Sequence, residues 1–225
     1  MPKPSESHSN VQVPASVDAR TFQAAVDILL SHLRRGMRTE TAGKMARFIL
    51  DDPANMHALL CILENSANAL PIQKQKAAWV LHRAFQLDQR GLIHHRSALS
   101  RVLDSTDDPS VLREILKILA NPIWIDLESN NASTALLTLA MDLLYVAELP
   151  VAVHYAALQI IQTRATSESD EREALASIQS LIQALNQPLN QPQSHPKGLY
   201  KCATLQESEL RRRLTQKRAR TKSPS

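Results

Sequence analysis

Three stretches of the chain begin with proline and then repeat one pattern of side chains. They are PIQKQKAAWVL from Pro71, PSVLREILKIL from Pro109 and PVAVHYAALQII from Pro150. In each stretch a basic residue or a histidine (Lys74, Arg113 or His154) is followed three and six positions later by apolar residues, so the pattern recurs after 39 and 41 residues. A period near 40 residues, with two helices per unit, is typical of helical solenoids, in which each unit packs on its neighbours.

The rest of the sequence also favours helices. There are only 4 glycines in 225 residues, and the periodic segments are rich in Leu, Ala, Gln, Glu, Lys and Arg, which lose little side-chain entropy in a helix. Alternating β-branched runs are absent, which argues against a sheet. The triplet Asp-Asp-Pro occurs at Asp51 and at Asp107 and predicts two helix starts, because an Asp before a Pro can accept from the first N–H groups of a helix. We therefore predict an all-α fold.

Several stretches carry a resemblance to a known family. They are QKAAWVLHRAF (75–85), LSRVLDST (99–106), SVLREILKIL (110–119) and LPVAVHYAALQIIQTRA (149–165). Residues Asp108 to Leu119 resemble the second helix of a HEAT repeat, and roughly residues 38–186 resemble small HEAT-like bacterial proteins. The resemblance implies an α-α superhelix, a right-handed stack of antiparallel helix pairs, with no established activity. The N-terminal helix and the basic C-terminal tail depart from the family.

The chain divides by composition into four segments. They are a disordered N-terminal segment 1–19, a HEAT-like helical-repeat domain 20–186, a Pro/Gln-rich linker 187–203 and a basic tail 204–225. Within the tail a short helix is predicted from Leu205 to about Arg218, because Thr204-Leu205-Gln206-Glu207 has the form of a capping box. Its two leucines, Leu210 and Leu214, form a stripe that we expect to be too narrow for stable docking.

The basic charge of the protein is concentrated near its C-terminus. Residues 197–225 hold nine Lys or Arg and two Glu, a net charge of +7; the whole chain carries +4, which leaves −3 for residues 1–196. Seven of these cations are candidates for binding nucleic-acid phosphates: Arg211, Arg212, Arg213, Lys217, Arg218, Arg220 and Lys222. Two alternatives remain open, a solvated tail without a specific partner and a docking peptide for another protein. An anionic membrane is the weakest alternative, since bulky apolar anchors are few.

The sequence offers little chemistry for catalysis or for cofactors. There is no glycine-rich phosphate loop, no GxSxG motif and no metal-binding spacing among the eight histidines. One enzymatic hypothesis rests on Trp124 and Asp126, because some HEAT-like DNA glycosylases use aromatic side chains with an Asp on a basic face. The acidic body argues against it, and the simpler interpretation is that Trp79 is a core residue and that Trp124 packs onto the helices.

The expected function is therefore that of a non-enzymatic interaction scaffold that binds a protein partner, with no cofactor and no metal. The alternative is a nucleic-acid-associated protein that uses the tail for sequence-independent phosphate contacts, and a glycosylase comes third. The N-terminus lacks the apolar region of a secretory signal, and no apolar run is long enough to span a membrane. Two widely separated cysteines, Cys61 and Cys202, favour a reducing compartment. We therefore expect a cytoplasmic protein.

Overall fold

The protein is all-α, as the sequence predicts. The computed structural model describes residues 19–65, 69–127, 129–186 and 197–222, and across these ranges it contains ten α-helices, two short 3₁₀ turns and no β-strand. The predicted disordered segment lies outside these ranges except for Ala19, and so do residues 187–196 of the predicted linker. No helix in the described ranges is long and apolar enough to span a membrane.

The helices form two compact units, one ending at Ser105 and the other beginning at Thr106. The helices of the first unit are α1 (Ala19–Arg34), α2 (Thr39–Asp51), α3 (Pro53–Asn65), α4 (Pro71–Leu87) and α5 (Arg96–Ser105), with a 3₁₀ turn at Ile93–His95. Helix α3 packs between α1 and α5, and α2 packs against α4. Helices two apart in the sequence are thus neighbours in this unit.

The second unit repeats this arrangement. Its helices are α6 (Pro109–Leu119), α7 (Asn130–Leu143), α8 (Val151–Arg164), α9 (Glu168–Asn186) and α10 (Lys197–Lys222), with a 3₁₀ turn at Pro122–Trp124. Helix α8 packs against both α6 and α10, while α7 packs against α9. The unit therefore has two rows of helices, one of α6, α8 and α10 and the other of α7 and α9.

The repeated pattern supplies the core of α4, α6 and α8. The apolar residues three and six positions after the basic or histidine position are all fully buried: Ala77, Val80, Leu116, Leu119, Ala157 and Ile160. Alanines at Ala77 and Ala157 allow neighbouring helices to approach closely. Burial of each large aliphatic side chain contributes about 1.5–3 kcal/mol, so stacking the helices provides a stabilisation that an isolated helix lacks.

Aspartates determine where two of the helices begin, as the Asp-Asp-Pro triplets predict. Asp108 Oδ1 accepts from Ser110 N at 2.8 Å and from Val111 N at 3.3 Å at the start of α6. Asp52 Oδ1 accepts from Ala54 N at 2.8 Å at the start of α3. These carboxylates therefore cap helices and do not form a paired acid site.

The two tryptophans differ in their environment. Trp124 is fully buried, and its indole Nε1 donates to the carbonyl oxygen of Ile118 at 2.8 Å. The prediction that Trp124 packs onto the helices is confirmed. Trp79 is only half-buried, so the prediction of a core residue is wrong in part: its helix α4 turns the neighbouring Ala77, Ala78 and Val80 inward instead.

The basic C-terminal segment forms a long helix that docks onto the second unit. Instead of the short helix expected from Leu205, α10 extends over 26 residues and packs against α9 and α8. The expectation of a stripe too narrow for docking is wrong, because the stripe continues toward the N-terminal end of the helix. Its buried members are Leu199, Ala203, Leu210 and Leu214. At 1.5 Å per residue this stripe is about 22 Å long.

Candidate interaction surfaces on helix α10

Helix α10 gathers most of the residues that the sequence singled out as candidates. Five of the seven predicted phosphate-binding residues have described side chains: Arg211, Arg212, Arg213, Lys217 and Arg218. The side chains of Arg220 and Lys222 lie outside the described part of the chain. The described five do not form one cluster, because a helix turns by about 100° per residue and spreads them around its circumference.

Lys217 lies on the docked side of α10 and holds it to α9. Its Nζ donates to Glu171 Oε2 at 2.8 Å and to the carbonyl oxygen of Thr166 at 2.7 Å. The side chain of Glu171 is only 2% exposed, and that of Lys217 is 36% exposed. A carboxylate at that depth needs a cation or hydrogen-bond donors to offset its lost hydration. Lys217 is therefore a structural residue.

Arg212 and Arg213 share one carboxylate. Glu209 receives two hydrogen bonds from Arg212, at 2.7 and 2.8 Å, and one from Arg213 Nε at 3.0 Å. These hydrogen bonds, Arg212 first and Arg213 second, lower the pKa of Glu209 to about 2. The carboxylate therefore stays ionised at neutral pH, and its two guanidinium partners leave a local excess of positive charge.

Arg211 pairs with Glu207, which also links α10 to α9. Arg211 donates to Glu207 Oε1 through Nε at 3.0 Å and Nη2 at 2.8 Å, and Gln179 Nε2 of α9 donates to the same oxygen at 3.0 Å. Hydrogen bonds from Gln179 and from Arg211 lower the pKa of Glu207. The Arg211 side chain is nonetheless 57% exposed, so its charge faces solvent.

One exposed side of α10 is polar and basic. We call this side the outer ridge; its members recur every three or four residues and are Lys201, Thr204, Ser208, Arg211, Thr215 and Arg218. All of them are exposed except Thr204, which is half-buried. The hydroxyl groups of Thr204, Ser208 and Thr215 donate to carbonyl oxygens of the preceding helical turn. The ridge contains no carboxylate, since Glu207 and Glu209 lie on its flanks.

A mostly apolar groove runs between α8 and α10. The groove has a volume of about 250 Å³, and its lining residues are Ile161, Gln162, Cys202, Leu205, Gln206, Glu209, Leu210 and Arg213. Ile161 and Leu210 are buried and form the floor, whereas Leu205 is 62% exposed at the edge. Gln206 Nε2 donates to the carbonyl oxygen of Leu158 at 3.1 Å and so ties the two helices together. We call this feature the α8–α10 groove.

Cys202 in the groove is not set up for nucleophilic chemistry. Burial raises the pKa of its thiol, so the thiolate is scarce at neutral pH. Burial, with a smaller contribution from Glu64, likewise raises the pKa of the Cys61 thiol. Both cysteines are free.

The histidines and the Trp124–Asp126 pair do not come together as a site in the described residues. No group of three or more His, Cys, Asp or Glu there could hold a metal ion. His57 and His95 make an edge-to-face contact with ring centroids 5.2 Å apart, and burial, followed by the charges of His57 and His94, lowers the pKa of His95. The indole of Trp124 is enclosed in the core and bonded to the backbone, so it offers no stacking surface to a base.

A second, polar cavity lies where the α8–α9 turn meets the start of α7. It has a volume of about 250 Å³ and is lined by Asn130, Ser133, Thr134, Leu137, Arg164, Thr166, Ser167 and Asp170. Two of these residues cap α9: Ser167 Oγ accepts from Asp170 N at 3.0 Å, and Asp170 Oδ2 accepts from Ser167 N at 3.4 Å. Helix capping explains their presence without a ligand.

The fold thus defines an all-α protein built of packed helix pairs, with its most distinctive surfaces on α10. Comparison of the chain with protein-family models, with curated proteins and with solved structures found no match. The surfaces themselves carry the functional argument.

Proposed function

We propose that the protein is a non-enzymatic interaction scaffold of the HEAT-like type, which binds a protein partner in the α8–α10 groove. The packing of helices two apart in the sequence, within each unit, supports a HEAT-like arrangement. We also place the protein in the cytoplasm, in keeping with its two free thiols. The observation that carries the binding proposal is the exposed Leu205 beside the buried floor of the groove.

The occupant of the groove is a helical segment with one apolar face. The lining residues of α10 run from Cys202 to Arg213, which corresponds to about 16 Å, or three turns of an added helix. Apolar anchors on successive turns of such a helix would cover the exposed Leu205 and the half-buried Cys202, the usual geometry of helix-in-groove recognition. The guanidinium groups of Arg212 and Arg213 share the single carboxylate of Glu209, and the positive charge left over favours a carboxylate on the flank of the bound helix.

Selection from a displayed library of random helix-forming peptides tests this proposal. Peptides that bind the wild-type protein are counter-selected on the Leu205→Glu variant, which places a charge in the groove. A matched control is Leu127→Glu, since Leu127 is 52% exposed and lies away from the groove. We expect binders that Leu205→Glu rejects and Leu127→Glu retains, with apolar residues three and four positions apart.

The sequences of the selected peptides separate the two parts of the proposal. Binders that are sensitive to Leu205→Glu but neutral or basic would support the groove and refute the preference for a carboxylate. If no enriched peptide distinguishes Leu205→Glu from Leu127→Glu, the groove is not a binding surface and the proposal is wrong.

A further inference from the structure

We propose that the outer ridge of α10 binds the phosphate backbone of double-stranded nucleic acid, on a surface separate from the α8–α10 groove. The inference does not depend on the scaffold function. The basic residues of α10 differ in their contacts, and only some of them lie on the outer ridge.

Among the cations outside the ridge, Lys217 and Arg213 have structural or groove-lining positions, and the exposed Arg212 shares the Glu209 carboxylate with Arg213. Lys217 lies on the docked side of α10, where its Nζ is 2.8 Å from Glu171 Oε2. Arg213 lines the α8–α10 groove and pairs with Glu209. Replacing either would disturb docking or the groove as well as charge. The ridge instead uses Lys201, Arg211 and Arg218, which are exposed.

The dimensions of the ridge suit a nucleic-acid duplex. Lys201 and Arg218 are 17 residues apart in one continuous helix, which corresponds to about 25 Å. That length matches about seven base pairs at ~3.4 Å of rise per phosphate along each strand. A helix of this length therefore presents cations to several phosphates.

The side chains of the ridge match those that contact DNA and RNA backbones. Lysine and arginine supply charge, and serine and threonine hydroxyls add hydrogen bonds to phosphate oxygens. Thr204, Ser208 and Thr215 lie between the cations, and the carboxylate next to the ridge, that of Glu207, is paired with Arg211. Tyr200, which precedes Lys201, is a single exposed ring, whereas surfaces that bind single strands stack successive bases on several aromatic side chains; this favours a duplex over a single strand.

The ion pair of Arg211 with Glu207 does not prevent phosphate binding. The pair uses the Nε and Nη2 edge of the guanidinium, which has five N–H donors in all. Its arginine is more than half exposed, and an ion pair with an exposed partner is weak because water and salt screen it. A phosphate can therefore bind beside the carboxylate or replace it.

Fluorescence anisotropy with labelled duplex DNA and duplex RNA of the same sequence tests the inference. The ridge variant combines Lys201→Gln, Arg211→Gln and Arg218→Gln. Its control combines Lys44→Gln, Arg101→Gln and Arg172→Gln, which remove the same charge from other exposed side chains. Circular dichroism confirms that both variants remain folded.

The salt dependence of binding is the deciding quantity. Three phosphate contacts to duplex DNA change log K by about 0.9 each per decade of salt, which corresponds to a loss of affinity of about 40-fold between 50 and 200 mM. We expect the ridge variant to lose this part of the salt dependence and the control variant to keep it. DNA and RNA should behave alike, since backbone contacts carry no base information.

Several results would overturn the inference. One is a wild-type protein that does not bind either duplex at low salt, and another is equal binding by the ridge and control variants. Competition by polyglutamate as effective as that by unlabelled duplex would show that the ridge recognises acidic proteins or polyanions in general. Duplex binding that persists in Leu205→Glu but is lost in the ridge variant would support the ridge as the binding surface, whether or not the groove binds a peptide.

Discussion

Replacing Leu210 by alanine tests the docking of α10 by its energetic consequence. Leu210 is 3% exposed, and Leu→Ala removes about three methylene equivalents, or ~2.5 kcal/mol of transfer free energy. The cavity left between α10 and its neighbours places the expected loss at about 2–5 kcal/mol. Leu205→Ala is the matched control: the same residue type on the same helix is 62% exposed, so the expected loss is below about 0.5 kcal/mol.

The assay is urea unfolding followed by the fluorescence of Trp124, which is buried in the second unit. A Trp79→Phe background removes the signal of the first unit, so the unfolding midpoint reports the second unit alone. Leu210→Ala should lower the midpoint at an unchanged m-value, and Leu205→Ala should leave it in place. Equal midpoints for the two variants would refute the docked helix.

Three further predictions use the same fluorescence assay of the second unit. Asp108→Ala removes the cap of α6 and should reduce the free energy of unfolding by about 1 kcal/mol; a comparable loss in Asp107→Ala, the neighbouring acid, would contradict the capping role. Burial lowers the pKa of His154 despite the hydrogen bond between its ring and Val146 O. Because the unfolded chain then binds a proton more readily than the folded protein, the free energy of unfolding should be highest above about pH 6.5 and decrease as the pH falls below that value. His154→Gln should flatten that dependence, and an unchanged pH profile in this variant would contradict the assignment. Lys217→Met leaves the buried carboxylate of Glu171 without its cation and should lower the free energy of unfolding by about 1–3 kcal/mol, which is less than the ~3–5 kcal/mol of a fully buried pair because Lys217 is partly exposed. The double variant with Glu171→Gln should recover part of this loss, and strictly additive effects of the two substitutions would contradict the ion pair.

The order and type of the helices follow from local signals in the sequence. Proline at the first helical position, as at Pro71 and Pro109, and aspartate before a proline, as at Asp108, determine where helices begin. Apolar residues at helical spacing then identify the buried faces, as Leu116 and Leu119 show. Such signals act within a few residues and do not depend on the rest of the fold, which is why they can be interpreted from one sequence.

The docking of α10 depends on contacts that are distant in the sequence. Glu171 and Lys217 are 46 residues apart, and neither residue type nor spacing indicates that they pair. Leu199 and Ala203 extend the buried stripe, but they follow a Pro/Gln-rich stretch, and the sequence therefore predicts that they belong to a linker. The α8–α10 groove likewise needs Ile161 and Leu205 together, and only the packing of the helices brings them into one surface.

The central claim is that the basic C-terminal segment is a docked structural helix, whose outer surfaces are available for binding. Amide hydrogen exchange of residues 199–214 in the full-length protein tests it most directly. The account predicts that these amides are protected to a degree comparable with α9, because exchange then requires undocking of the helix. Exchange at the rate of an unstructured peptide across the segment would contradict the account.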